Sequence, residues 1–147
     1  MGSTFASLRI HLVFSTKERR PFIHNSWRTA LHEYLGGTVR GLEAIAEAVG
    51  GVADHVHLLV SYKPTTAISD FVRELKKASS VWAADTHERR FGWQEGYSVF
   101  SVSASQKEIV RSYIANQEVH HAKRDFRAEL EELLRKHEIE FDPKYLE

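Results

Sequence analysis

Cysteine is absent from this 147-residue chain, which excludes disulfide frameworks, Cys-ligated zinc, iron-sulfur clusters and thiol nucleophiles together. A long apolar run is also missing: nothing approaches the ~20 residues of a membrane span. The start Met1-Gly2-Ser3-Thr4 lacks the charged-then-apolar layout of a signal peptide. The expectation is a cytoplasmic protein with no membrane partner. Net charge is missing as well, with 20 Lys+Arg against 20 Asp+Glu, which argues against an indiscriminate polyanion binder. The total hides a gradient. Residues 1–128 carry 17 basic and 13 acidic side chains, and residues 129–147 carry 3 basic and 7 acidic. A mildly basic body with an acidic C-terminal segment is compatible with nucleic-acid binding. What is present is ordinary: 42% hydrophobic and 27% charged residues. A chain this long buries roughly 70% of its unfolded surface, enough for one domain over residues 1–147 without staples.

Between 7 and 15, Leu8, Ile10, Leu12 and Phe14 alternate with Arg9, His11 and Val13, the period of a half-buried strand. Lys17, Arg19 and Arg20 lead into Pro21, a loop signal. Asn25 or Ser26 can cap a helix with Trp27, Leu31, Tyr34 and Leu35 on its apolar side, and Gly36-Gly37 can end or interrupt it. Alternation over 43–49, a turn or bulge at Gly50-Gly51 and the run 54–60 predict an antiparallel strand pair. A second helix follows Pro64-Thr65-Thr66, with Ile68, Phe71, Val72, Leu75, Ser79 and Trp82 at helical spacing and Arg73, Lys76 and Lys77 mainly on other faces. Residues 97–103 alternate as a fourth strand. Ser105 and Glu108 predict a capping box on a third helix reaching about His121, and a separate helix covers about 127–137. The order β-α-β-β-α-β followed by helices predicts an α+β, ferredoxin-like sandwich: a four-stranded antiparallel sheet with helices on one face, plus C-terminal helices.

His55 and His57 stand one residue apart on a predicted strand, so they leave the same face and can grip one ion. Two half-exposed strand histidines with no ligand fit the same spacing. Asp54 can accept from a histidine N–H or simply serve the turn. On the third helix Tyr113 and Gln117 lie one turn apart and His120 continues the stripe; they face inward with Ile109, Val110 and Ile114, while Arg111 and Glu118 point away. A core tyrosine bonded to Gln117 explains this pattern as well as a reactive one does. His120, His121, Lys123 and Arg124 form a basic cluster able to meet DNA or the acidic segment.

Five segments in order then resemble one family: the single-tyrosine HUH transposases of bacterial insertion sequences, including the REP-associated tyrosine transposases. His11-Leu12-Val13-Phe14-Ser15-Thr16-Lys17 with Arg19-Arg20-Pro21 is similar to the family's opening strand and basic loop, and Asp54-His55-Val56-His57-Leu58-Leu59-Val60 to its HUH strand. Leu75-Lys76-Lys77-Ala78-Ser79-Ser80 resembles its helix-2 signature. Trp93-Gln94-Glu95-Gly96-Tyr97 with Phe100-Ser101-Val102-Ser103 resembles the fourth strand, and Tyr113-Ile114-Ala115-Asn116-Gln117 the tyrosine segment. The resemblance implies that His55, His57 and Gln117 hold a Mg or Mn ion and that Tyr113 is the nucleophile. It also implies attack giving a 5′-phosphotyrosine and a free 3′-hydroxyl, on single-stranded DNA bearing a hairpin. Lys17, Arg19, Arg20, Arg73, Lys76 and Lys77 are then the candidates for phosphate contacts. The family forms homodimers in which the tyrosine helix can serve the partner's histidine pair. A domesticated relative acting on chromosomal palindromes is the alternative within this chemistry. A non-catalytic ferredoxin-like nucleic-acid-binding or metabolite-binding module is the alternative outside it, although the aromatic signature of RNA-binding sheets is absent.

Overall fold

Apolar alternation and turn chemistry assemble four strands, β1 (Arg9–Ser15), β2 (Ile45–Val52), β3 (His55–Ser61) and β4 (Ser98–Ser101), into one antiparallel sheet ordered β2-β3-β1-β4. The computed structural model describes residues 2–146; Met1 of the leader reading and Glu147 of the acidic segment lie outside the described residues. Helices α1 (Asn25–Gly41) and α2 (Ile68–Thr86) cover one face over a core that includes Leu12, Phe14, Leu31, Leu35, Leu58 and Leu75. The other face lies under α3 (Lys107–Ala115), α4 (Gln117–His121) and α5 (Phe126–Lys136). There Val13 and Phe100 meet Phe126, Leu130 and Leu134, and Leu59 meets Ile114. No helix among the described residues is long and apolar enough to cross a membrane.

Several local expectations change in the folded chain. β1 is central and covered on both faces, so His11 and Val13 are buried along with Leu12 and Phe14. α1 runs straight through Gly36-Gly37, because Leu35 and Val39, both fully buried, bracket the pair and hold the last turns against the sheet. Packing there outweighs a helix-propensity loss of about 1 kcal/mol per glycine. β2 also runs through its glycine pair, to Val52; the tight turn is Ala53-Asp54 and the register shift falls between Ala46 and Ala48. The fourth strand is shorter than 97–103. The capping box does not form: a 3-10 turn at Ala104–Gln106 precedes α3, Ser105 Oγ meets Ser103 Oγ at 3.0 Å, and Glu108 pairs with Arg111 instead. The third helix breaks at Asn116, whose side-chain amide donates to the Ser112 carbonyl at 2.8 Å.

Gly50 shows why β2 keeps its glycine inside the strand. It stands opposite His57, and a Cβ there would lie 2.2 Å from the Ile114 carbonyl oxygen. Only hydrogen at this position lets α3 settle close enough to carry Tyr113, and Gln117 at the start of α4, onto the histidine face. Gly50→Ala is therefore expected to destabilise the protein by about 1–3 kcal/mol, read by denaturant unfolding, and to impair whatever chemistry the site performs by more than the stability loss explains.

Candidate active site and metal centre

His55 and His57 leave β3 on the same face, as their spacing predicts, and both are completely buried beneath α3, α4 and α5. Asp54 accepts from His55 Nδ1 at 2.8 Å, which turns Nε2 inward. His55 Nε2 meets Gln117 Oε1 at 3.0 Å. The centre of the cluster is a residue absent from the sequence-derived site, Glu129 of α5. Its Oε1 lies 3.2 Å from His55 Nε2, 3.1 Å from His57 Nε2 and 2.9 Å from His121 Nε2. Its Oε2 accepts from Gln117 Nε2 at 3.0 Å and from the Tyr113 hydroxyl. The Tyr113 ring stands 5.8 Å from the ring of His57 in the same chain, and His120 stacks on it at 4.6 Å. His11, diagonal to His57 across β1 and β3, places Nε2 2.7 Å from His57 Nδ1.

A buried carboxylate is costly unless it is fully paired, and here burial is overcome: bonds from His121, His55 and His57 hold Glu129 well below the usual carboxylate range. Burial also opposes a charge on His55, yet the Asp54 and Glu129 carboxylates raise it to about 9. His57 is pushed down to about 4, chiefly by burial, and His11 to about 3 by burial and the neighbouring His57. Burial, then the adjacent Glu129 charge, lifts the Tyr113 phenol above its ordinary value. One ligand atom each from His55, His121 and Glu129 fall within 4.8 Å of one another, so this group could hold a metal ion. The donor set, imidazole nitrogens with a carboxylate, suits a divalent cation.

The family described as "Transposase IS200 like" matches residues 4–117. The chain belongs to this family. The ISDra2 transposase TnpA of Deinococcus radiodurans is 33% identical over 119 residues, covering 75% of this chain and 84% of that protein. The transposase for insertion sequence element IS200 of Salmonella typhimurium is 30% identical over 129 residues, covering 80% and 81%. A crystal structure of a Deinococcus radiodurans protein assigned as a transposase superposes with TM-score 0.65 at 26% identity, covering 80% of this chain and 96% of that one. A REP-associated tyrosine transposase bound to a REP hairpin shares the fold, with TM-score 0.60 at 16% identity over 82% of this chain and 74% of that one. As an IS200-like transposase, the chain has the sheet, the helices packed on it and the C-terminal helices of its relatives.

Of the residues singled out from sequence, His55, His57, Tyr113 and Gln117 converge on one centre. His121 and Arg124 of the basic cluster turn to the acidic segment, His121 to Glu129 and Arg124 to Glu132. Glu129 was hidden by its place in the acidic segment, which reads as solvated charge. Its signal is positional: it follows Phe126 by three residues and precedes Leu133 by four, so it lies on the apolar stripe of α5. The Asp125 side chain caps that helix by accepting from Ala128 N at 2.9 Å. His11 was hidden because the half-buried reading of its strand placed it on the open face.

The basic residues divide. The turn carrying Lys17, Arg19 and Arg20 is tied to Asp54 by Thr16 N–H donating to its carbonyl at 2.8 Å, so it flanks the His55 end of the sheet. Lys17 and Arg20 are exposed. α2 lies on the opposite face from the histidines. There Arg73 pairs with Asp70 and Glu74, and Lys76 Nζ donates to the Gln94 and Gly96 carbonyls, both at 2.7 Å. Lys77 is exposed and has no ion-pair partner among the described residues.

Proposed function

We propose that this transposase cleaves and rejoins single-stranded DNA through a 5′-phosphotyrosine on Tyr113, at sites marked by a hairpin. His55, His57 and Gln117 would hold Mg or Mn. The observation that carries this reading is the convergence of the Tyr113 hydroxyl, both strand histidines and Gln117 on one buried centre beside an open cleft. The cleft, of about 440 Å³, runs between Ser103, Gln106, Ile109, Lys136 and His137 and opens onto Tyr113. A phosphodiester strand lying in it presents phosphorus to the phenol oxygen.

Glu129 Oε2 accepts from the hydroxyl and fixes the direction of the oxygen. The new bond is from Tyr113 oxygen to phosphorus and the broken bond is from phosphorus to the 3′ oxygen; the phenol gives up its proton to solvent and the departing oxygen takes one up, leaving as a hydroxyl. The ester keeps the energy of the cleaved bond, so attack by another 3′-hydroxyl rejoins strands without a nucleotide cofactor. The ion, when bound, offsets charge on the scissile phosphate and favours the phenolate. Asp54 keeps His55 Nε2 turned toward that site, and His11 does the same for His57. Two DNA ends must be handled for exchange, which favours a homodimer.

A denaturing gel tests the reading. Hairpin-bearing single-stranded DNA and Mn should give a protein-DNA adduct that survives detergent, and its absence would refute the mechanism. For DNA contacts, Arg20→Ala and Lys77→Ala should each lower the salt slope of DNA binding by about 1 while weakening all sequences alike. Lys76→Ala should act differently, by loosening the segment from Gln94 to Gly96. Binding titrations at several salt concentrations distinguish the two behaviours.

A further inference from the structure

The family match ends at Gln117, yet two groups from the chain beyond it point into the same centre. We propose that His121 and Glu129 are ligands of the cation, alongside the strand histidines, and that this richer donor set makes the centre selective for a first-row transition ion such as Mn(II) over Mg(II). The proposal rests on the cation reading above and adds residues and a metal class to it.

Three imidazole Nε2 atoms, from His55, His57 and His121, face one oxygen, Glu129 Oε1, at 3.2, 3.1 and 2.9 Å. His55, His121 and Glu129 keep one ligand atom each within 4.8 Å of one another, a group that does not include His57. His57 approaches the same carboxylate directly. Glu129 is fully buried, a placement that a solvated acidic tail would not adopt and that a cation beside it would stabilise. Its inward aim is built in: Asp125 caps α5, and Phe126 and Leu130 anchor that helix on Val13 and Phe100. The carboxylate has two oxygens with separate duties. Oε1 faces the imidazoles, while Oε2 takes the Tyr113 hydroxyl and the Gln117 amide. Magnesium prefers oxygen donors and retained water, whereas imidazole-rich sites favour transition ions. Three imidazoles with one carboxylate and the Gln117 amide oxygen still fall on the transition-ion side. Docking of α5 and loading of the ion are then one event, because a ligand travels with the helix.

The test uses the intact, metal-free chain, titrated separately with MnCl2 and MgCl2 by calorimetry, with Mn(II) pulsed EPR to count coupled imidazole nitrogens. Wild type should bind Mn(II) at least tenfold more tightly than Mg(II) and show three nitrogens. Glu129→Gln and His121→Ala should each weaken Mn(II) binding tenfold or more, and His121→Ala should lose one nitrogen. Two nitrogens in the wild type, or unchanged affinity in both variants, would overturn the proposal. Tighter binding by Glu129→Gln would overturn it too, by showing a carboxylate that excludes the ion. The wild-type nitrogen count decides the matter even if a variant does not fold. If His57→Ala alone abolishes binding, the two-histidine reading survives and this one falls. If wild type binds neither ion, both fall.

Discussion

Tyr113→Phe is expected to yield a folded protein that binds hairpin-bearing DNA and forms no covalent adduct. The substitution removes one oxygen and keeps the ring, its stacking on His120 and its packing beside His57. Glu129 loses one of several donors but retains His55, His57, His121 and Gln117. The stability loss should therefore be about 1–2 kcal/mol, the scale of a hydrogen bond to a charged group. Adduct formation should fall to background, since Tyr34, Tyr62, Tyr97 and Tyr145 take no part in the cluster. Detergent gels and a denaturant melt on the same preparation give both values. A Phe variant that still forms the adduct, or peptide mapping to another tyrosine, would sink the mechanism while leaving the fold untouched.

The second large effect concerns the cation and His57. Excess chelator should abolish nicking by the wild type, and addition of Mn(II) should restore it. His57→Ala should abolish nicking irreversibly while hairpin binding stays within about tenfold, because affinity rests on phosphate and shape contacts elsewhere. This variant carries a structural cost. His57 is fully buried between His11 and Glu129, so truncation leaves a cavity and two polar groups short of a partner, a loss of about 2–4 kcal/mol. His57→Gln, which fills more of the space and keeps polar atoms, is the companion variant. Loss of nicking in a His57→Gln protein whose melt is close to wild type would assign the effect to the imidazole. Nicking at full rate in excess chelator would remove the cation from the reaction.

The strand histidines and Tyr113-to-Gln117 were legible because their spacing is local. A period of two puts His55 and His57 on one face, and a period near four aligns Tyr113 with Gln117. The fold class followed from the order of such periods, and the family from five segments in sequence. Periodicity could not say which residues cross between elements. Whether Gly50-Gly51 turns the chain or lies within a strand depends on α3 approaching from above, where the Ile114 carbonyl requires the missing side chain. Gly36-Gly37 likewise continues α1 because Leu35 and Val39 are held by the sheet.

The sequence by itself thus determined the sheet-and-helix architecture, the paired histidines, the tyrosine and its glutamine, since each is written in residues a few positions apart. Only the tertiary structure brought in His11, His121 and Glu129. These lie 46, 66 and 72 or more positions from the strand histidines they touch. Their roles depend on β1 being central and on α5 folding back over the histidine face, which buries an acidic side chain that local composition reads as solvated. A buried charge becomes tolerable only when partners from several elements surround it, so its place is set by the assembled fold and not by its neighbours in the chain.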